Sequence, residues 1–105
     1  MNYKEYDDIM NLIKHIKDIN QELTNPSLKI RDVITDIQKD ITVQSYLYEM
    51  TYVNMDESKI TSINNIDINM LYQKLPAYKT LCEIELINKI GKEKYDEIKR
   101  NENLD

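Results

Sequence analysis

Two side chains in this sequence belong to types that serve as a catalytic base and a nucleophile. His15 is the single histidine and Cys82 the single cysteine of the 105 residues. Nucleophilic catalysis also needs a third group that orients the base. His15 follows Lys14 at the edge of an apolar helical stripe, so we expect a surface or boundary histidine. Cys82 follows Leu81 on an apolar stripe. We therefore expect a buried thiol that packs as a small apolar group, and not a catalytic Cys–His pair.

The residue counts also restrict metal and nucleotide chemistry. A structural zinc site needs four Cys or His ligands, and the chain has two such residues. Phosphate-binding loops need several glycines to bring backbone amides close to the phosphates, and Gly91 is the only glycine. Carboxylates could bind magnesium, but no spacing of acidic residues supports such a site. We therefore expect no catalytic residues, no metal and no cofactor.

Three aspartates form the one arrangement that we single out. Asp32, Asp36 and Asp40 are spaced by four residues, so a helix would align them as an acidic ridge. Like charges at this spacing cost about 0.2–0.5 kcal/mol per pair, and Lys29 and Lys39 can offset part of that cost. A solvated helix face is the ordinary explanation of such a pattern. The functional hypothesis is that the ridge binds a basic protein, for example one that normally holds nucleic acid.

The overall charge agrees with a protein partner better than with a nucleic acid or a membrane. The chain carries 19 acidic and 14 basic residues, a formal net charge of −5. Binding to phosphates or to an anionic membrane surface relies on Lys and Arg. Hydrophobic residues make up 41% and charged residues 31% of the chain, a mixture typical of globular proteins. We expect one domain over residues 1–105, without a membrane-spanning segment.

The apolar spacing of the first half predicts a helical hairpin. Apolar residues recur every three or four positions over residues 3–24, which indicates a long amphipathic helix. Asn25 and Pro26 suit an N-cap and a first helical position, so a second helix is predicted to begin there. Its apolar stripe continues through Ile41, and the two helices are predicted to pack antiparallel.

Residues 41–53 are rich in β-branched and aromatic side chains, which suits a strand. Strict alternation is absent, however, so we favour a helix that is apolar on more than one side. Tyr46, Tyr48 and Tyr52 lie in this segment, and tyrosine is enriched at protein interfaces. Packing at the edge of one core and a dimer contact are equally compatible with them. Residues 54–67 are predicted to form a loop or a short helix.

The second half predicts further helices. Asp67 or Asn69 could cap a short helix over Met70, Leu71 and Leu75. Pro76 is expected to end this helix and to start another over residues 77–90. Gly91 is suited to the end of that helix, and a mostly charged helix should follow over residues 92–101. The fold expectation is therefore all-α: a bundle of four to five helices built on the N-terminal antiparallel hairpin, which dimerisation would complete.

The turn at Gly91 resembles that of a helix-turn-helix, which would imply a DNA-binding protein. In that family a small residue stands four positions before the glycine and apolar residues stand one and six positions after it. Here these positions hold Ile87, Lys92 and Glu97, and the would-be recognition helix is acidic. A small DNA-binding or transcription-associated regulator is therefore the alternative hypothesis.

The composition also suggests a source. Ile, Asn, Lys and Tyr have AT-rich codons and are abundant, as in low-GC bacteria, their phages and many viruses. A single cysteine and a polar start fit a reducing, cytoplasmic environment, which would be the host interior for a viral protein. The working hypothesis is a non-catalytic, homo-oligomeric accessory protein of a phage or virus. It would inhibit or modulate a host defence or nucleic-acid-processing enzyme through its acidic surface.

Overall fold

The computed structural model describes residues 3–41 and 68–105, which form α-helices and contain no strand. The four helices in this part of the chain are α1 (Tyr3–Thr24), α2 (Ile30–Asp40), α3 (Ile68–Ile90) and α4 (Lys92–Glu102). Helices α1, α2 and α3 pack against one another, and α4 packs against α3. The predicted all-α class is confirmed for this part of the chain. Tyr46, Tyr48 and Tyr52 lie outside the described residues.

The core consists mainly of isoleucine and leucine. On α1 the buried positions recur at steps of three and four, which places them on one face of the helix. Burying each such side chain contributes about 1.5–3 kcal/mol. The apolar side chains that are almost completely shielded from solvent are Leu12, Ile16, Ile19, Ile30, Ile34, Ile37, Leu71, Leu75, Tyr78, Leu81, Cys82, Leu86, Tyr95 and Leu104.

Helix α2 begins later than its sequence signals predict. Asn25 and Pro26 precede the helix instead of starting it, because residues 25–29 form a non-helical turn. Leu28 in this turn has a left-handed backbone conformation, with φ of 67°. Hydrogen bonds from other parts of the chain hold the turn in this shape, as described below. The predicted start at residue 25 is therefore wrong, because tertiary contacts outweigh the local capping preference.

The other end of α2 also differs from the prediction. Ile41 is extended, with φ of −85° and ψ of 145°, so the helix ends at Asp40. The apolar stripe that was expected to carry the helix through Ile41 is thus interrupted. Residues 42–53, where a helix was favoured over a strand, lie outside the described residues.

Helix α3 continues through Pro76, where a break was predicted. A proline inside a helix removes one backbone hydrogen bond and costs about 3 kcal/mol. Buried residues on both sides of it outweigh this cost, since each contributes about 1.5–3 kcal/mol. Leu71 and Leu75 precede the proline, and Tyr78 and Leu81 follow it, all with no solvent exposure. Packing against the rest of the bundle therefore keeps the two halves of α3 in one helix.

Gly91 separates α3 from α4, and the predicted boundary is confirmed. Its φ of 86° is rarely adopted by residues with a side chain. A Cβ atom there would meet no atom within 4 Å, so the glycine serves the backbone conformation and does not make room for a neighbour. Beyond the turn, Tyr95 on α4 and Leu104 after it are buried and attach the charged α4 to the core.

None of the helices within residues 3–41 and 68–105 combines the length and the apolar character needed to cross a membrane.

Candidate protein-binding surface at the α1–α2 turn

A buried glutamate near the end of α1 organises the turn into α2. Glu22 is only 5% exposed, which is unusual for a carboxylate. It accepts hydrogen bonds from the backbone N–H of Ser27, at 3.0 Å, and from the Ser27 hydroxyl. The hydroxyl of Tyr72 on α3 donates a third bond to it, at 3.2 Å. The buried charge is therefore well satisfied, and it ties the turn to two helices.

These bonds determine the ionisation of the two groups. Burial by itself raises the pKa of Glu22, but the bonds from Ser27 and Tyr72 and the charge of Lys29 outweigh it, so its pKa is lowered from the ordinary value. Burial, together with the carboxylate of Glu22, raises the pKa of the Tyr72 hydroxyl. Tyr72 thus remains a donor and Glu22 an ionised acceptor at neutral pH.

Tyr72 also fixes the following residue of the turn. Its hydroxyl oxygen accepts a bond from the backbone N–H of Leu28, at 3.2 Å. The left-handed conformation of Leu28 is therefore supported by a hydrogen bond from α3, 44 positions along the chain. With this backbone the Leu28 side chain is 72% exposed.

Next to the turn, α1 and α2 enclose an acidic surface hollow of about 300 Å³. Four carboxylates and one ammonium group line it. We define the acidic surface by these four carboxylates, which belong to Asp18, Glu22, Asp32 and Asp36. Lys29 contributes the ammonium group, and the other lining residues are Gln21, Ser27 and Val33. The hollow thus has an excess of negative charge, which favours a basic group.

Two lysines form only weak ion pairs with the acidic surface. Lys14 pairs with Asp18 at 3.0 Å and Lys39 with Asp36 at 3.6 Å. Both lysine side chains are at least 63% exposed, and exposed pairs of this kind contribute about 0–1 kcal/mol. Within the described part of the chain, Asp32 has no ion pair. Another cationic group could therefore displace these lysines at little cost.

The three aspartates of the predicted ridge have different surroundings. Asp32 and Asp36 are exposed and line the hollow. Asp40 is partly buried, and its carboxylate lies 2.5 Å from Nε2 of His15 on α1. The ridge as predicted from α2 alone omits Asp18 and Glu22, because they are contributed by α1. No sequence spacing within one helix could have revealed that convergence.

We expect Asp40 to be the one ridge aspartate that matters for stability. The other imidazole nitrogen of His15, Nδ1, is buried without a hydrogen-bond partner among the described residues. Asp40→Ala would therefore leave the whole buried ring unsatisfied and lower the free energy of unfolding by about 1–3 kcal/mol. Asp32→Ala should change it by less than about 0.5 kcal/mol. Urea denaturation of both variants at pH 7 measures the difference, and equal effects would contradict it.

His15 and Cys82 are both buried. The boundary position predicted for His15 is wrong: it is 4% exposed, because Asp40 satisfies its Nε2 atom inside the bundle. The buried thiol predicted for Cys82 is confirmed, with no solvent exposure. Burial, reinforced by the carboxylates of Asp40 and Glu83, raises the pKa of the Cys82 thiol to about 12. A thiol in this environment is a poor nucleophile, since the reactive form is the thiolate.

We expect Cys82 to resist thiol reagents in the folded protein. A pKa of about 12 in place of 9.0 lowers the thiolate fraction about a thousandfold, and burial blocks access. A chromogenic disulfide reagent at pH 8 should label the native chain extremely slowly and the urea-unfolded chain rapidly, with one thiol per chain. Rapid labelling of the native protein, with no change in its circular dichroism, would contradict the buried position.

No protein-family model, no curated protein and no solved structure matches this chain.

Proposed function

We propose that this chain is a non-catalytic protein that binds a basic surface of another protein through its acidic surface. The observation that carries this proposal is the convergence of carboxylates from two helices around one hollow. Asp18 of α1 and Asp32 and Asp36 of α2 are accessible to a partner. Glu22 of α1 adds its negative charge, but its oxygens are already bonded to Ser27 and Tyr72. The ridge hypothesis is thereby modified: Asp40 serves mainly to satisfy His15, and α1 supplies part of the surface.

The ion pairs of Lys14 and Lys39 are weak, so basic groups of a partner can replace these lysines. Lys14 and Lys39 remain largely in water, so binding need not break strong internal contacts. Complementary charge at such a surface accelerates association and excludes acidic partners. The guanidinium of arginine suits the site best, since its planar donors can bond two carboxylate oxygens at once.

The class of partner that we propose is an enzyme with a nucleic-acid-binding surface, which the chain would inhibit or modulate. Carboxylates held at fixed positions can bind the Lys and Arg side chains with which such an enzyme binds the phosphates of a nucleic acid. The AT-rich codon bias of the composition supports a phage or viral accessory role in the host cytoplasm. A tagged chain would be used to retain the host partner from lysate, and mass spectrometry would identify it.

The test of the acidic surface uses two double variants with the same change in net charge. Asp32→Asn/Asp36→Asn removes two carboxylates of the hollow, whereas Asp7→Asn/Glu97→Gln removes two exposed carboxylates elsewhere. Calorimetric titration of the recombinant partner should show about tenfold or greater weakening for the first variant at low salt, and little change for the second. The proposal is wrong if both variants bind like the wild type, or if both weaken equally.

Two finer features belong to the same proposal. The antiparallel pairing of α1 and α2 is supported by the contact of His15 with Asp40, which lies at the end of α2 farthest from the turn. Homodimerisation through Tyr46, Tyr48 and Tyr52 stays a prediction. Light scattering of the wild type and of Tyr46→Ser/Tyr48→Ser/Tyr52→Ser would test it, with a loss of the dimer expected for the variant.

A further inference from the structure

Leu28 combines two features that are unfavourable for the isolated chain. Leucine rarely adopts a left-handed backbone, yet its φ is 67°. Its apolar side chain is 72% exposed. Asparagine or glycine is the usual residue at such a position. A leucine here therefore calls for an explanation other than the stability of the isolated chain.

The position of Leu28 relative to the acidic surface supplies that explanation. Its neighbours Ser27 and Lys29 both line the hollow, so Leu28 stands at the rim. The bonds of Glu22 to Ser27 and of Tyr72 to Leu28 hold the backbone on both sides. The fixed turn thus presents the Leu28 side chain to solvent. Because the backbone is already ordered, a partner that binds here would pay a smaller entropic cost.

Further apolar side chains are exposed at the same end of the bundle. Leu23 in the last turn of α1 is 45% exposed, and Met70 near the start of α3 is 51% exposed. The bond between Tyr72 and Leu28 brings the beginning of α3 to this end. Apolar and acidic groups therefore occur together at one end of the molecule.

We propose that Leu28 is an apolar anchor that inserts into the partner, and that the occupant of this end is a basic amphipathic segment of another protein. This proposal rests on the proposed function. Charge complementarity selects the occupant: carboxylates of the acidic surface bind its Lys or Arg, while its apolar residues enclose Leu28. A purely ionic partner such as a polycation would leave the leucine exposed, and the carboxylates would repel a nucleic acid.

The experiment uses peptides selected from a random 16-residue library displayed on phage, with the full chain as the immobilised target. Synthetic versions of the enriched peptides are then titrated into the wild type, Leu28→Asn, Asp32→Asn/Asp36→Asn and Tyr3→Asn. Tyr3 is the matched control, since it is 91% exposed and lies at the opposite end of α1. Leu28→Asn should keep or raise the melting temperature, because asparagine tolerates the left-handed conformation.

We expect the peptides to combine Lys or Arg with apolar residues. Leu28→Asn and Asp32→Asn/Asp36→Asn should each lower the affinity for these peptides about tenfold or more, while Tyr3→Asn binds them like the wild type. Loss of binding with the aspartate variant but not with Leu28→Asn would overturn the anchor and leave the proposed function standing. Peptides that bind Leu28→Asn and Asp32→Asn/Asp36→Asn as tightly as the wild type would overturn both proposals. A lower melting temperature of Leu28→Asn would assign the leucine to stability instead.

Discussion

Tyr78→Ala is expected to lower the free energy of unfolding by about 3–5 kcal/mol. Tyr78 lies at the centre of α3 and has no solvent exposure. Its hydroxyl accepts a bond from the side chain of Gln38 on α2, at 3.3 Å. Truncation would open a cavity and remove this bond between two helices. For a domain with a total stability of about 5–15 kcal/mol, the variant should be close to unfolding at 37 °C.

Two further substitutions separate the parts of this effect. Tyr78→Phe keeps the ring and removes the hydroxyl, so it should lower the free energy of unfolding by only about 1 kcal/mol. Tyr6→Ala removes a tyrosine that is 55% exposed and should change it by less than about 0.5 kcal/mol. Urea denaturation followed by circular dichroism gives all three values. Similar losses for Tyr78→Ala and Tyr6→Ala would contradict the central position of Tyr78.

Glu22→Gln is expected to destabilise the protein at neutral pH and to lose this effect in acid. The hydrogen bonds from Ser27 and Tyr72 favour the ionised form, so replacing it should lower the free energy of unfolding at pH 7 by about 1.5–3 kcal/mol. Because the pKa of Glu22 is lower in the folded than in the unfolded chain, its stabilising contribution is complete above the unfolded value, near pH 4.5. The contribution is lost as the pH falls through the folded value.

The measurement is the difference in free energy of unfolding between the wild type and Glu22→Gln at pH 7, 5, 4 and 3. This difference should remain constant down to about pH 5 and shrink below it. Tyr72→Phe is the control: it removes the bond from Tyr72 to Glu22 and the bond from Leu28 to Tyr72, but it leaves Glu22 bonded to Ser27 and able to ionise. Part of the pH dependence should therefore persist in this variant. A wild-type advantage that stays unchanged or grows between pH 5 and pH 3 would show that these bonds do not favour the carboxylate.

Sequence periodicity predicted the helical class because apolar spacing depends only on neighbours along one helix. The bounds of α1 followed for the same reason. The boundary at Gly91 followed from the ease with which glycine adopts a positive φ. The start of α2 could not be predicted, because Glu22 and Tyr72 hold residues 27 and 28 in a turn. The continuity of α3 across Pro76 likewise depends on packing against other helices.

The acidic surface was predictable only in part. Asp32 and Asp36 were found from their helical spacing, since both lie on α2. Asp18 and Glu22 were missed because their approach to α2 depends on how two helices pack. The exposed Leu28 had no signal at all, since a leucine in a polar turn carries no mark of a left-handed backbone.

The bond between Tyr72 and Leu28 makes the shape of the turn a property of the whole fold. The conformation of Leu28 in this turn depends on a helix 44 positions further along the chain, so an isolated α1–α2 fragment would lack this constraint. The proposed binding end of the molecule and its global folding are thus thermodynamically linked. A ligand that holds this turn would raise the melting temperature of the entire chain, by an amount set by its concentration relative to its Kd.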